Sequence, residues 1–183
     1  MKKFIKFFMP CFVLAGMLFL NTVQAQTDKA KVKDKVQKAD QSMPYTATYS
    51  SKFQIGDPKY AQIILKIWKD WDDNTIDQSA NMFADTMTMY HPDGTVLKGK
   101  EQNLAGAKKY RAQFTTVKST IHAFVSLKST DHNEDWVAVW GTEEDTGKDG
   151  KVTSTELHEV WRFNKDGKID EMRQFQAKTP PAQ

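Results

Sequence analysis

The chain has 183 residues, with 26 basic and 23 acidic side chains, four histidines and a single cysteine. Three of the 26 basic residues and no acidic ones fall in residues 1–25, so the remainder balances at 23 against 23. That balance gives no electrostatic case for nucleic acid or an anionic membrane surface, and Cys11 alone supports no disulfide framework.

Residues 1–25 read as a secretory signal peptide. Lys2, Lys3 and Lys6 precede an apolar stretch over 7–20, and Val23-Gln24-Ala25 supplies a small-x-small cleavage site before Gln26. The stretch is interrupted by Pro10 and falls short of the roughly 20 residues of a membrane span. The expectation is an exported protein, periplasmic or secreted, with no span after cleavage. Residues 26–53 alternate Lys, Asp, Gln and Thr with little apolar content, a polar linker or arm. Residues 54–178 are expected to form one domain, with 179–183 as a tail.

Asp57-Pro58 announces the first helix: aspartate caps, and proline at the first turn loses nothing by lacking an N–H. Ala61, Ile64, Leu65, Trp68 and Trp71 recur at helical spacing, and Asp72-Asp73-Asn74 ends the run. Thr75-Ile76-Asp77-Gln78 fits a capping box for a short second helix. The stretch 86–90 alternates like a strand, and His91-Pro92-Asp93-Gly94 turns into a second short strand over 95–97. A third helix is predicted from about 101 to 115. Four strand-like runs follow at 117–129, 135–144, 151–163 and 168–177, separated by Asp, Asn and Gly turns. Helices segregated to one side of such a sheet make an α+β domain. Long antiparallel strands twist and coil, so the sheet should wrap under the three N-terminal helices and leave a concave pocket.

Several motifs along this order resemble those of the nuclear transport factor 2-like superfamily, in particular its SnoaL-like branch. Trp68 to Asp77 is similar to that family's first-helix ending, Phe83-Ala84-Asp85 to its junction before a strand, and His91-Pro92-Asp93-Gly94 to its hairpin. Gly99 matches the glycine before the third helix. Trp161-Arg162-Phe163 followed by Asp166-Gly167-Lys168-Ile169 resembles the terminal hairpin. The resemblance spans roughly 57–177 and implies a cone-shaped fold with a strongly curved sheet. Relatives include polyketide cyclases, ketosteroid isomerase, scytalone dehydratase and non-catalytic modules, so the fold does not choose the function. It also implies a homodimer through the outer sheet face. In the cyclases a histidine on the penultimate strand works with an aspartate on the last. The matching positions here are His158 and Gln174, and an amide cannot abstract a proton.

Period-two spacing sorts the strand residues into faces. His158, Val160 and Arg162, with Met172 and Gln174 across the hairpin, are the expected pocket wall. Leu157, Glu159, Trp161 and Phe163 are expected in the core or in a subunit contact. A register slip of one residue would exchange the two faces. His158 is the acid–base candidate because imidazole titrates near neutrality, with Glu156 on the same face. Arg162 either clamps an anionic group or pairs with Glu156. Five tryptophans suit an apolar or aromatic ligand, with Trp68 and Trp140 at the cavity mouth and Tyr90 near its opening. No histidine spacing suits a metal, and no cofactor motif is present. The expected function is therefore the binding of a small, largely apolar or aromatic molecule by Trp68, Tyr90, Trp140, Met172 and Gln174. The alternative is a cofactor-free isomerase, cyclase or dehydratase using His158 with Arg162.

Overall fold

Asp57 caps the first helix as its sequence dictates, its carboxylate accepting from Lys59 N at 2.9 Å, and α1 runs Pro58–Asp72. Asn74 ends it in the left-handed region at φ 58°, where asparagine is tolerated better than most residues. These elements come from a computed structural model that describes residues 43–178. The signal segment 1–25, residues 26–42 of the linker and the tail 179–183 lie outside the described residues. Contacts divide the chain after Ala47. Residues 43–47 carry no helix or strand, and every element below belongs to the unit that starts at Thr48.

The order in that unit is β1 (Phe53–Ile55), α1, a 3₁₀ helix (Ile76–Met82), β2 (Phe83–Tyr90), β3 (Val96–Lys98), α2 (Lys100–Arg111), β4 (Phe114–Ser129), β5 (Glu134–Gly147), β6 (Val152–Phe163) and β7 (Ile169–Lys178). The architecture is α+β, as expected. One sheet holds all seven strands in the order β1-β4-β5-β6-β7-β2-β3. Five of its pairings are antiparallel, but β2 and β7 run parallel, so the sheet is mixed rather than purely antiparallel. Strand β1 straddles the boundary drawn between linker and domain at 53/54.

Two helical readings change. The second helix is 3₁₀, and Thr75 makes no side-chain cap; Asp70 holds that segment instead, accepting from Ser79 Oγ and, at 2.6 Å, from Lys66 Nζ. The third helix stops at Arg111, and Phe114 already belongs to β4. A reason lies in Thr115, Thr116 and Val117, three β-branched residues that favour the extended chain.

The core sits between the helices and the inner face of the sheet. Ile64 and Ile67 of α1 and Phe83 and Met87 of β2 pack with Val137, Val139, Phe163 and Ile169. Gly141 decides how closely α1 approaches. A Cβ there would lie 2.9 Å from the Trp68 ring and 2.8 Å from Thr120 O, so only glycine lets the indole come this close to β5. Register shifts interrupt the β4–β5, β6–β7 and β2–β7 ladders. Such bulges add local twist, which bends the long strands around the helices.

Candidate functional site

One extra residue in β7 decides which side chains meet. Phe163 pairs with Ile169, yet Arg162 pairs with Glu171, so Asp170 bulges out of the β6–β7 ladder. An unbulged hairpin would put Gln174 opposite His158 and Met172 opposite Val160. The observed register places Gln174 opposite Glu159, Met172 opposite Trp161 and Phe175 opposite His158. Relative to β6, every residue beyond the bulge is therefore shifted to the other face: Met172 and Gln174 share a face with Trp161 and Glu159 instead of with Val160 and His158.

The cavity corrects the expected wall accordingly. Its volume is about 460 Å³, and β6 contributes Thr155, Leu157, Glu159 and Trp161 to it, while β7 contributes Met172, Gln174 and Gln176. His158 and Arg162 do not line it. His158 stacks on Trp140 with ring centroids 4.7 Å apart and lies 5.9 Å from the Phe175 ring. Its Nε2 is buried without a partner, and Glu156, expected to orient it, instead accepts from Thr142 at 3.0 Å. Arg162 does not pair with Glu156; it forks onto the bulged Asp170 at 2.9 and 3.3 Å. Trp140 is on that outer face too, and Tyr90 lies under the Arg173 guanidinium at 4.0 Å rather than in the wall. Of the expected ligand contacts, Trp68, Met172 and Gln174 do line the cavity.

Apolar side chains from α1, β2 and α2 close the remaining sides. Ile67, Trp68 and Trp71 come from α1, Met87 and Met89 from β2, and Leu104, Ala107 and Tyr110 from α2. Arg111, 5% exposed, fixes the helices relative to each other: it donates to the carbonyls of Trp71 and Asp72 at the end of α1 and of Phe114 at the start of β4.

Besides the exposed Asp93, three carboxyl groups face this space, Glu143, Asp145 and Glu159, and the sequence reading selected none of these three as a site residue. Glu159, 5% exposed, accepts from Trp68 Nε1 at 2.7 Å, Trp161 Nε1 at 3.1 Å and Gln174 Nε2 at 2.8 Å. Burial pushes its carboxyl above the ordinary range, and the three donors pull it partly back. Glu143 and Asp145 are two apart on β5 and so share a face. Trp71 Nε1 donates to Glu143 at 2.6 Å. Burial first, then the Asp145 charge, push Glu143 up to about 8. Burial also raises Asp145, while a hydrogen bond from Glu143 and the charge of Arg111 draw it down again. Both carboxyls of the pair are thus raised, Glu143 to about 8, so together they keep a proton toward neutral pH. A proton held close to neutrality beside an ionised carboxylate can be given or taken at little cost.

The signal for these acids was present. Leu157, Glu159, Trp161 and Phe163 alternate as one apolar face with an acid inside it, as do Val137, Val139, Gly141, Glu143 and Asp145. An acid on a buried face is kept only where something pairs it. Two other polar atoms on the wall are buried without partners, Asn103 Oδ1 and His91 Nε2. Among the described residues, no group of three or more His, Cys, Asp or Glu is placed to hold a metal ion, and no helix is long and apolar enough to cross a membrane.

Residues 66–172, more than half of the chain, match the model of the SnoaL-like domain. The chain belongs to the SnoaL-like domain family. No curated protein sequence matches it, but solved structures share its fold. An NTF2-like protein of unknown function from Exiguobacterium sp. 255-15 is similar at 17% identity and TM-score 0.54, over 64% of this chain and 99% of that one. An LEH-like epoxide hydrolase from M. tuberculosis is similar at 10% identity and TM-score 0.55, over 65% and 83%. The epoxide hydrolase/cyclase-like enzyme SalBIII, which acts in pyran-ring formation in salinomycin, is similar at 19% identity and TM-score 0.52, over 65% and 91%. At these identities the likeness is one of fold, and it places this SnoaL-like domain among cone-like NTF2-like proteins.

Proposed function

We propose that this SnoaL-like protein binds a small, largely apolar molecule in the cavity between the helices and the inner sheet face. The observation that carries the reading is a space of about 460 Å³ with a mostly apolar wall and three buried polar atoms lacking partners. Such a pocket accommodates a drug-sized ligand, and the polar atoms are where a ligand would complete unfinished hydrogen bonds. A ligand held in hundredfold excess over its Kd should stabilise the fold by about 2.7 kcal/mol, read as a rise in Tm in a thermal-shift screen of apolar metabolites. Ala107→Trp fills the space from α2 and should abolish that rise while the protein still folds. A rise of the same size in Ala107→Trp would place the binding elsewhere.

A second reading, acid–base catalysis in the same cavity, is favoured by the Glu143–Asp145 proton. It moves the catalytic candidate away from His158, whose ring is packed between Trp140 and Phe175. Turnover would then show a pH–rate profile that is lost in Glu143→Gln and retained in His158→Gln. The reverse pattern would return the role to His158.

Export and dimerisation belong to the same proposal. The Lys-rich start, apolar stretch and Val23-Gln24-Ala25 support cleavage before Gln26, and intact-mass analysis of secreted protein should find that N-terminus. On the outer face, Trp140 (38% exposed) and Phe175 (54% exposed) flank His158 across three adjacent strands. Sedimentation should give a dimer that Phe175→Glu dissociates; a monomeric parent protein would remove this part of the proposal.

A further inference from the structure

The buried polar end of the cavity presents acceptors without partners, while Thr95, Tyr110, Thr155 and Gln176 carry the side-chain hydroxyl and amide donors elsewhere on the wall. Asp145 and Asn103 are 5% and 4% exposed, and each has an Oδ1 with no partner. Asn103 cannot rotate to offer its amide hydrogens, because Nδ2 already donates to the carbonyl oxygens of Gly99, Leu97 and Met87 at 2.7, 3.3 and 3.4 Å. The indole N–H groups on the wall are also committed, those of Trp68 and Trp161 to Glu159 and that of Trp71 to Glu143. Among the described residues, those that line the cavity include Asp93, Glu143, Asp145 and Glu159 but neither lysine nor arginine. The charge of Arg111 reaches Asp145, yet all three of its hydrogen bonds go to backbone oxygens.

We propose that the ligand of this cavity is a small organic cation, an apolar body carrying a protonated amine, with the ammonium at Asp145 and the body against Trp68, Trp71 and Tyr110. This rests on the ligand-binding reading above and names its chemical class. An ammonium brings up to three donors and no acceptor, the complement of the buried, unpartnered Asp145 Oδ1. Trp71 and Tyr110 stack with ring centroids 6.2 Å apart and planes 11° apart, and so present neighbouring aromatic surfaces; their π-faces attract a cation. An anionic ligand would meet carboxylates with no lysine or arginine on the wall to receive it. A neutral alcohol brings a single donor and leaves the Asp145 charge where it is.

The bound cation has a proton consequence. It lies among Glu143 and Asp145 of β5, Glu159 of β6, Asp72 at the end of α1, Tyr110 and Arg111 of α2, and His91 of the β2–β3 turn. A positive charge there favours the ionised form of Glu143. At neutral pH the amine enters with its proton and the Glu143 proton leaves to the buffer, so binding releases a proton.

The test is isothermal titration calorimetry of the full chain at pH 7 with three molecules of one shape: adamantylamine, adamantanol and adamantane carboxylate, each in two buffers of different ionisation enthalpy. The amine should bind at least about tenfold more tightly than the alcohol, the carboxylate should not bind, and only the amine's enthalpy should depend on the buffer. Asp145→Asn should lower the amine's affinity to about that of the alcohol and so erase the preference. If adamantanol matches the amine, or the carboxylate binds, the cation assignment is overturned and the binding cavity stands. If none of the three binds, both readings fall.

Discussion

Replacing Glu159 with leucine should destabilise the protein by about 3–5 kcal/mol, whereas glutamine at the same position should cost about 1 kcal/mol or less. Leucine removes the acceptor for two indole N–H groups and one amide, and each buried donor left unpaired costs roughly 1–3 kcal/mol. Part of that loss is offset, because burial already resists ionisation of this carboxyl and leucine removes the conflict. The donors win because they are three and the offset is one. Glutamine is tolerated for a geometric reason. Trp68 and Trp161 both donate to Oε2 of Glu159, and only Gln174 donates to Oε1. A glutamine can keep its oxygen on the two indoles and turn its amide toward Gln174, whose own amide flips to present oxygen. Urea unfolding with unchanged m-values would measure both variants. A leucine variant as stable as the parent would mean that cavity water satisfies the three donors.

The contrast between leucine and glutamine bears on why the site was only partly legible. The strand runs were readable because alternation and turn residues agree along 117–177, and α1 was readable because Asp57, Pro58 and the apolar stripe point the same way. The faces were not readable, because they depend on Asp170. Nothing local marks Asp170 as a bulge; its unpaired position is stabilised by Arg162, eight residues earlier, whose guanidinium forks onto it. A tertiary contact therefore sets the register. The end of β5 was missed for a different reason. Acidic residues are poor strand formers, so the strand reads as ending at Glu144, before Asp145, yet β5 continues to Gly147 because β4 and β6 pair with it on both sides. The residues that local propensity handles worst are the ones that carry the cavity's chemistry. What remained available was the pattern itself: an acid in phase with valines and tryptophans is costly, and that cost is the reason to look at it first.

Stability should fall as pH rises through neutrality, with Tm decreasing by roughly 5–10 °C between pH 5 and pH 9, and Glu143→Gln should remove at least half of that slope. The sign follows from where the proton sits. Unfolded, the Glu143 carboxyl titrates at its ordinary value of 4.5; folded, burial and the Asp145 charge push it up to about 8. Between those values the folded state holds a proton that the unfolded state has lost, so raising pH favours unfolding. Below the lower value the penalty vanishes, and above about 8 it is fully present. Asp145 and Glu159, also raised, act in the same direction, which is why one substitution does not flatten the whole curve. The depressed carboxylates act oppositely but elsewhere. Asp70, held below 3.8 by Lys66 and Ser79 against the opposing effect of burial, contributes stability that is lost only as pH falls through the acid range. Asp145→Asn separates the two causes of the Glu143 shift: burial persists, the neighbouring charge goes, and the transition should move to lower pH without disappearing. Differential scanning fluorimetry across pH on the parent and both variants would resolve this. A Glu143→Gln curve parallel to the parent's would show that the proton resides on another group.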